Sequence, residues 1–385
     1  MLMLLQLAQN DPWQIILNLV FYVFIFISIF WGQKIQFFTY SRQLEGSLIK
    51  FKDMRTETET LLKNKIIELR KKFTKETEQS EINTKELDTF LEEFFQFVMI
   101  EPVSLDPAGI IPKIDHLINV RESRWEDTVK MLVPGIIARD GRNLENLIEA
   151  AMAVDSVYRL VRHFFIQGKK SSSLILVMQI AMQLKLIEQM AEAYTKAAKA
   201  FYYGQPIGDA LGPQVAAAFV RSMKPEGVEA REICKETTVQ LVEYKNRNIY
   251  VVRAMGPGGT VGKPGEAIKI LIEELDKVDR IFMVDAAMKL EGDRSGSVVE
   301  GVGAAIGGIG NEKFKIEESS TKSNIPVDAY LCKENLVDAI TTMKKSISMS
   351  VKAIVERIKI AIERRTSENA TIILAGIGNT IGIGM

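Results

Sequence analysis

A single N-terminal transmembrane helix, a long amphipathic or coiled-coil helix, an all-α middle domain and a C-terminal α/β domain with glycine-rich turns make up the fold class this sequence predicts. Three observations predict it. Residues 12–33 carry no charged side chain. Residues 107–223 keep helical patterning, punctuated at Pro and Gly positions. From residue 237 onward, short β-branched runs alternate with helical stretches and glycine-rich loops, as in an α/β domain. The resulting boundaries are 1–12 for a short extracytoplasmic N-terminus, 13–32 for the membrane helix and 33–104 for the amphipathic helices. Residues 105–225 then form the helical domain and 226–385 the α/β domain.

The membrane helix comes first in the chain. Trp13 and Trp31 bracket its apolar core, and at about 1.5 Å per residue they stand roughly 27 Å apart. That distance matches a bilayer core of about 30 Å with an aromatic residue at each interface. A cleaved signal peptide would need a basic leader, and residues 1–12 contain no Lys or Arg. Lys34, Arg42, Lys50 and Lys52 follow the span, opposed only by Glu45, whereas Asp11 is the one charged side chain before it. The positive-inside rule therefore predicts a single-pass protein of the cell membrane with its C-terminal body in the cytoplasm. Two cysteines, Cys234 and Cys332, in 385 residues agree with a reducing compartment and exclude a disulfide scaffold.

The helices follow in order. Over 41–79, Leu44, Leu48, Phe51, Leu62, Ile66, Leu69 and Phe73 recur at spacings of three and four, with an interruption near Thr56–Thr60. Two short heptad patches result, which fit an intermolecular coiled coil or a helix packed on its own body. The segment 78–84 breaks the pattern, and a second helix over 85–100 sets Leu87, Phe90, Leu91, Phe94 and Phe97 on one face. The run 171–186 is the most apolar stretch after the membrane helix, but its uncharged part spans only 14 residues. It reads as a buried bundle helix or a subunit interface, with a second membrane passage as the alternative. In 204–215, GQPIGDALGPQV, Asp209 is placed to cap a helix beginning near Gly212.

The α/β region opens with TTVQLVEY (237–244) and NIYVVRAMG (248–256) as a hairpin. A helix over 264–275, a strand RIFMVD (280–285), a glycine-bearing helix after 297, strands KFKIEE (313–318) and VDAYLC (327–332), a long helix over 333–365 and a strand TIILAG (371–376) complete the expectation.

Three glycine-rich segments follow strands. In MGPGGTVGKPG (255–265), a strand feeds a turn that opens a helix with Pro264 at its first position. Backbone N–H groups and the helix dipole suit an anion there, so Gly256, Gly258, Gly259, Thr260, Gly262 and Lys263 are candidate ligands for a phosphate. The spacing is neither a Walker loop nor a strict dinucleotide fingerprint, and a structural turn remains the alternative. Asp285, at the end of the next strand, lies where a ribose-binding acid would stand. Beyond it Lys289, Glu291, Asp293 and Arg294 crowd one loop, which could join the ligand site or simply be a solvated, self-neutralising turn. The third segment, AGIGNTIGIG (375–384), could line the same cleft or make close subunit contacts, the latter being preferred.

Absences narrow the function. Basic and acidic side chains balance at 49 each, which excludes a nucleic-acid binder driven by net charge. No Cys-x-x-Cys or G-x-S-x-G motif is present, and His116 and His163 stand alone, so no metal site and no catalytic residue can be assigned and the cofactor is unknown. The combination of the N-terminal anchor with QPIGDALGP, GPGGTVGKPGEA, DAAMKLEGDRSGSVVEGVGAAIGGIG and AGIGNTIGIG resembles an uncharacterised archaeal membrane-protein family, a domain of unknown function. The resemblance covers nearly the whole chain and implies an archaeal origin and a membrane location, with no activity. Three functions stay open. The leading one is a membrane-anchored homo-oligomer whose α/β domain binds a nucleotide or other phosphate-bearing small ligand in a regulatory or sensory role. The others are a Mg-dependent nucleotide or phosphoester enzyme, and a ligand-free scaffold or pore.

Overall fold

The computed structural model describes residues 12–74, 84–103, 109–223, 229–308 and 310–384. The short N-terminus before the span, most of the expected break at 78–84 and residues 224–228 lie outside the described residues. Helix α1 runs unbroken over Pro12–Phe73, so the apolar span and the polar helix after it are one element. Nothing in the sequence stops it: Gly32 and Gly46 are isolated, and Arg70, Lys71 and Lys72 complement the negative end of its dipole. Then come α2 (Thr84–Phe94), α3 (Ile110–Leu132), α4 (Ala138–Ser171) and α5 (Leu174–Tyr203).

The chain divides into two compact units. The first holds residues up to Arg55 together with Asp155–Ala191. Leu44 and Phe51 of α1 bury there against Val161 and Phe165 of α4 and Val177 and Leu184 of α5. The apolar window at the start of α1 has none of its area buried, and that helix is long and apolar enough to span a membrane. Helix α5 passes the same test of length and composition, with 22% of its window buried. It is thus only partly the buried helix expected from the sequence: Val177, Ala181 and Leu184 are covered, whereas Ile175, Met182 and Leu186 are exposed.

The second unit holds Thr56–Val154 and Glu192–Met385. Its helical core buries Leu62, Ile66 and Leu69 with Leu87, Leu91, Trp125, Leu144 and Leu147. The second heptad patch is therefore satisfied within its own chain. Phe94 stands edge-on to Trp125 with ring centroids 4.5 Å apart, a favoured aromatic geometry.

The α/β part contains α6 (Leu211–Met223), β1 (Arg231–Cys234), β2 (Thr237–Glu243), β3 (Asn248–Ala254), α7 (Pro264–Glu274), β4 (Arg280–Met288) and β5 (Val298–Val302). It continues with α8 (Asn311–Lys322), β6 (Val327–Glu334), α9 (Leu336–Ile340), α10 (Lys345–Arg365) and β7 (Thr371–Gly376). Seven strands form one mixed sheet in the order β1-β2-β3-β7-β4-β6-β5. Strands β3, β7, β4 and β6 are mutually parallel, and β1, β2 and β5 are antiparallel to their neighbours. One face carries α7 and α8 over Val252, Ile281, Met283 and Ile373; the other carries α6 and α10 over Val251, Phe282, Tyr330 and Leu374. The apolar runs of β4 and β7 follow from this, because a sheet covered on both sides needs apolar residues at every position.

Four elements depart from the sequence expectation, the first being the helix expected over 85–100, which ends at Phe94. KFKIEE lies in helix α8, where Asn311, Ile316 and Ser320 are buried, the last two one turn apart. Six residues of alternation cannot separate the two periods. The glycine-bearing segment after 297 is strand β5, an edge strand on β6, followed by irregular chain. The expected long helix over 333–365 is divided: Lys333 and Glu334 extend β6, and Asn335 caps α9 by accepting the Asp338 N–H at 2.7 Å. Thr341–Lys344 then separates α9 from α10.

Candidate functional site

Parallel pairing of β7, β4 and β6 brings the carboxyl ends of three strands to one edge of the sheet. In α/β folds ligands are taken at that edge. The strand period decides what reaches it. Asp285 shares a face with Met283 and Ile281, on the α7/α8 side, whereas Glu334 shares a face with Cys332 and Tyr330, on the α6/α10 side. A third carboxylate, Asp209, comes from the 3-10 turn Gly208–Ala210 that precedes α6. All three line a cavity of about 710 Å³ together with Gly262, Lys263, Ala286, Ile306, Asn311 and Leu336 among others. Its size suits a small molecule, for which pockets of roughly 300–1,000 Å³ are usual.

The turn before α6 reaches this edge because glycine lets backbone meet backbone. A Cβ on Gly212 would stand 2.6 Å from the Ile377 nitrogen and the Val284 oxygen, and one on Gly378, whose φ is +128°, would overlap the Asp209 carbonyl. The GDALGP segment is thus a packing piece. Contrary to the sequence expectation, Asp209 does not cap α6; its Oδ2 accepts the Asn379 N–H at 2.8 Å. The Asn379 side chain donates in turn to Asn146 of α4 at 3.1 Å, and Asn146 donates to the Gly259 carbonyl at 2.6 Å.

Electrostatics sets the cavity apart. Burial, then the nearby Asp209 charge, pushes the Asp285 carboxyl up to about 8, against the N–H groups of Ala286 and Gly307. Glu334 is pushed up to about 7 by burial, then by Asp209 and Asp338. Burial likewise raises Asp209. Glu334 is 2% exposed, and neither of its oxygens meets an N–H or O–H donor among the described residues.

The glycine loop 255–263 gives its donors to the chain itself. The Gly259 N–H goes to the Asn143 side chain at 2.9 Å, the Gly262 N–H to Thr260 Oγ1 at 3.2 Å and the Lys263 N–H to Thr237 Oγ1 at 2.7 Å. The first turn of α7 is also filled, since Glu312 Oε2 accepts from Gly265 at 2.7 Å and from Glu266 at 3.1 Å. A carboxylate of α8 stands where a phosphate would sit. Lys263 Nζ pairs with Glu122 at 3.0 Å and donates to Asn119 at 2.9 Å.

Two sequence profiles of one family match the chain: the N-terminal domain of a "protein of unknown function (DUF1512)" over residues 18–204, and the C-terminal "domain of unknown function (DUF1512)" over 207–384. The chain belongs to the DUF1512 family. No curated protein matches the sequence. In DUF1512 terms the cavity belongs mainly to the C-terminal domain, and Ile118 and Glu122 are its lining residues from the N-terminal one.

Of the eleven candidate residues, the DUF1512 cavity gathers Gly262, Lys263 and Asp285. Gly258 and Gly259 are buried against Arg139 and Asn146 of α4, Gly256 packs on Ile383, and Thr260 bonds to Glu236. Lys289, Glu291, Asp293 and Arg294 sit on the turn between β4 and β5, outside the cavity lining. There Asp293 pairs with Lys333 at 2.9 Å, and Glu291 and Arg294 are exposed. The terminal glycine segment, expected to line the cleft or to make subunit contacts, is buried in its own chain through Ile377, Ile381 and Ile383, and its Ile377 and Gly378 line the cavity. Sequence reasoning missed Asp209 and Glu334 as site residues: Asp209 lies on the turn before α6, and Glu334 follows the expected strand end inside a helix-like pattern. Among the described residues no group of three or more His, Cys, Asp or Glu is placed to hold a metal ion.

Proposed function

We propose that this DUF1512 protein is a membrane-anchored, self-associating body that binds a small ligand at the carboxyl ends of β4, β6 and β7, in a regulatory or sensory role. The observation that carries the reading is the cavity with Glu334 in its wall, buried and without an N–H or O–H partner among the described residues. A buried carboxylate whose neighbouring donor is only the weak Cys332 thiol costs stability, so its retention calls for a group that the cavity receives. Single-pass anchoring with the body in the cytoplasm is supported by the uncharged run at the start of α1 and the basic residues after it. Self-association is supported by the exposed Ile175, Met182 and Leu186 of α5.

A phosphate-bearing ligand, the class expected from the sequence, draws no support from the glycine loop, whose donors at 259, 262, 263, 265 and 266 are engaged within the chain. An enzymatic reading has one observation in its favour: Asp285 and Glu334 are held near neutrality, where proton-transfer groups work best.

The test is a thermal-shift screen of a metabolite library on the full chain in lipid nanodiscs, alongside Ala286→Trp, which fills the cavity. At least one compound is expected to raise the melting temperature of the parent and not of the variant. A folded, empty parent that responds to no compound overturns the ligand reading.

A further inference from the structure

The carboxylates of this cavity outnumber its cations, and that imbalance says what kind of ligand it takes. Asp209, Asp285 and Glu334 all face it, and Glu122 and Glu312 stand in its lining. Lys263 is the lining cation, and it is already paired with Glu122. Asp338, behind Glu334, is held by Lys344 at 2.6 Å and by the Ser295 hydroxyl at 2.5 Å. Glu312 is satisfied by the first turn of α7 and by Lys315. What remains unmet is Glu334, and Asp209 is close enough to raise both it and Asp285.

Resting on the ligand-binding reading above, we infer that the ligand is a small organic cation: an ammonium group seated among Glu334, Asp285 and Asp209, with a hydrocarbon part against Ala286, Ile306, Leu336 and Ala339. An ammonium supplies the donors that Glu334 lacks, and charge-assisted hydrogen bonds are the stronger kind. An anion would meet three carboxylates and one already paired lysine. A bare metal ion is disfavoured because the three acids come from both faces of the sheet and make no coordinating group. The apolar wall also has no use for an ion without a body, since such surface is covered best by hydrocarbon.

Below about pH 7 Asp285 and Glu334 hold protons in the empty protein, so binding a cation there releases them. The groups that set this balance are Asp209 before α6, Asp285 of β4, Cys332 beside Glu334 on β6, and Asp338 of α9 with its partner Lys344. The pair Lys263–Glu122 and Glu312 of α8 face them from the rim. Affinity is therefore weaker at about pH 6, where Asp285 and Glu334 are protonated, than at about pH 8.5, where they are mostly ionised.

The experiment titrates three probes of one shape into the full chain in lipid nanodiscs, with empty nanodiscs as the blank: n-pentylamine, n-pentanol and pentanoate. Pentylamine is expected to bind about tenfold or more tighter than pentanol, the scale of one hydrogen bond to a charged group. It should bind more tightly at the higher pH, and pentanoate should give no binding. At about pH 6 the heat of binding should vary with the ionisation heat of the buffer, which reports the released proton. Glu334→Gln should remove about tenfold of the preference for amine over alcohol; Asp285→Asn serves the same test if the first variant does not fold. Pentanol or pentanoate bound as tightly as pentylamine, and lost in Ala286→Trp, overturns the cation inference and leaves the ligand reading standing. A folded protein that binds none of the three and no library compound overturns both.

Discussion

Asp285 and Glu334 reach one cavity from opposite faces of a sheet, and their protons set how the protein answers to pH. A carboxyl whose value is raised on folding binds its proton more tightly in the native state. Its contribution is most favourable below the ordinary carboxylate range and declines as pH climbs towards the raised value. For Asp285, held at about 8, that decline spans the neutral range. Asp115 and Asp279, whose values are lowered by hydrogen bonds and neighbouring lysines, weaken the fold only under more acidic conditions. Denaturant melts should therefore show stability falling between about pH 5 and pH 8, and Asp285→Asn should flatten the slope. At about pH 8.5 this variant should be the more stable by about 1–3 kcal/mol, the usual cost of a poorly satisfied buried polar group. Equal slopes in parent and variant would remove Asp285 from the account. Asp285 was legible in the sequence because RIFMVD is an unmistakable strand with an acid at its end. Glu334 was hidden, because LCKENLVDAI continues a helical pattern through the very residue at which the strand stops.

At the scale of elements, the strands of the parallel core were the readable part. Runs such as NIYVVRA and TIILAG are β-branched, apolar and bounded by turn residues. Short segments at the sheet edge were not readable, since KFKIEE and VVEGV carry too few residues to distinguish one period from the other. The heptad patches misdirect in another way: spacing reports an apolar face, and it does not say whose surface covers it. Leu62, Ile66 and Leu69 are covered by the chain's own helices. Leu62→Ala should accordingly cost about 2–5 kcal/mol, as a cavity in a packed core does, and leave the oligomer mass in mild detergent unchanged. A lower mass with unchanged stability would restore the intermolecular coiled coil. The exposed face of α5 is the complementary case. Met182→Glu with Leu186→Glu should leave the melting temperature nearly unaltered and reduce the mass to that of a protomer. A mass that does not move would assign assembly elsewhere.

For the molecule as a whole, the succession of an apolar N-terminal helix, further helices and an α/β body was visible from residue patterns alone, because hydrophobic period and charge distribution survive without tertiary detail. The placement of α6 was not, since LGPQVAAAFVRSM is helical whichever neighbour it meets, and here it meets the sheet. Removing residues 1–33 should yield a protein that leaves the membrane fraction and stays monodisperse without detergent. A truncated form that still needs detergent would place the apolar face of α5 in the bilayer. The order of strands carries a consequence for biosynthesis. Strand β7, made after every other strand, lies between β3 and β4 in the middle of the sheet. Until residues 371–376 have emerged from the ribosome, the nascent chain holds two separate half-sheets, β1-β2-β3 and β4-β6-β5, each ending in an open apolar edge. Such edges invite pairing with other chains, so the α/β body closes in one late step, and its hydrophobic interior depends on the arrival of its last strand.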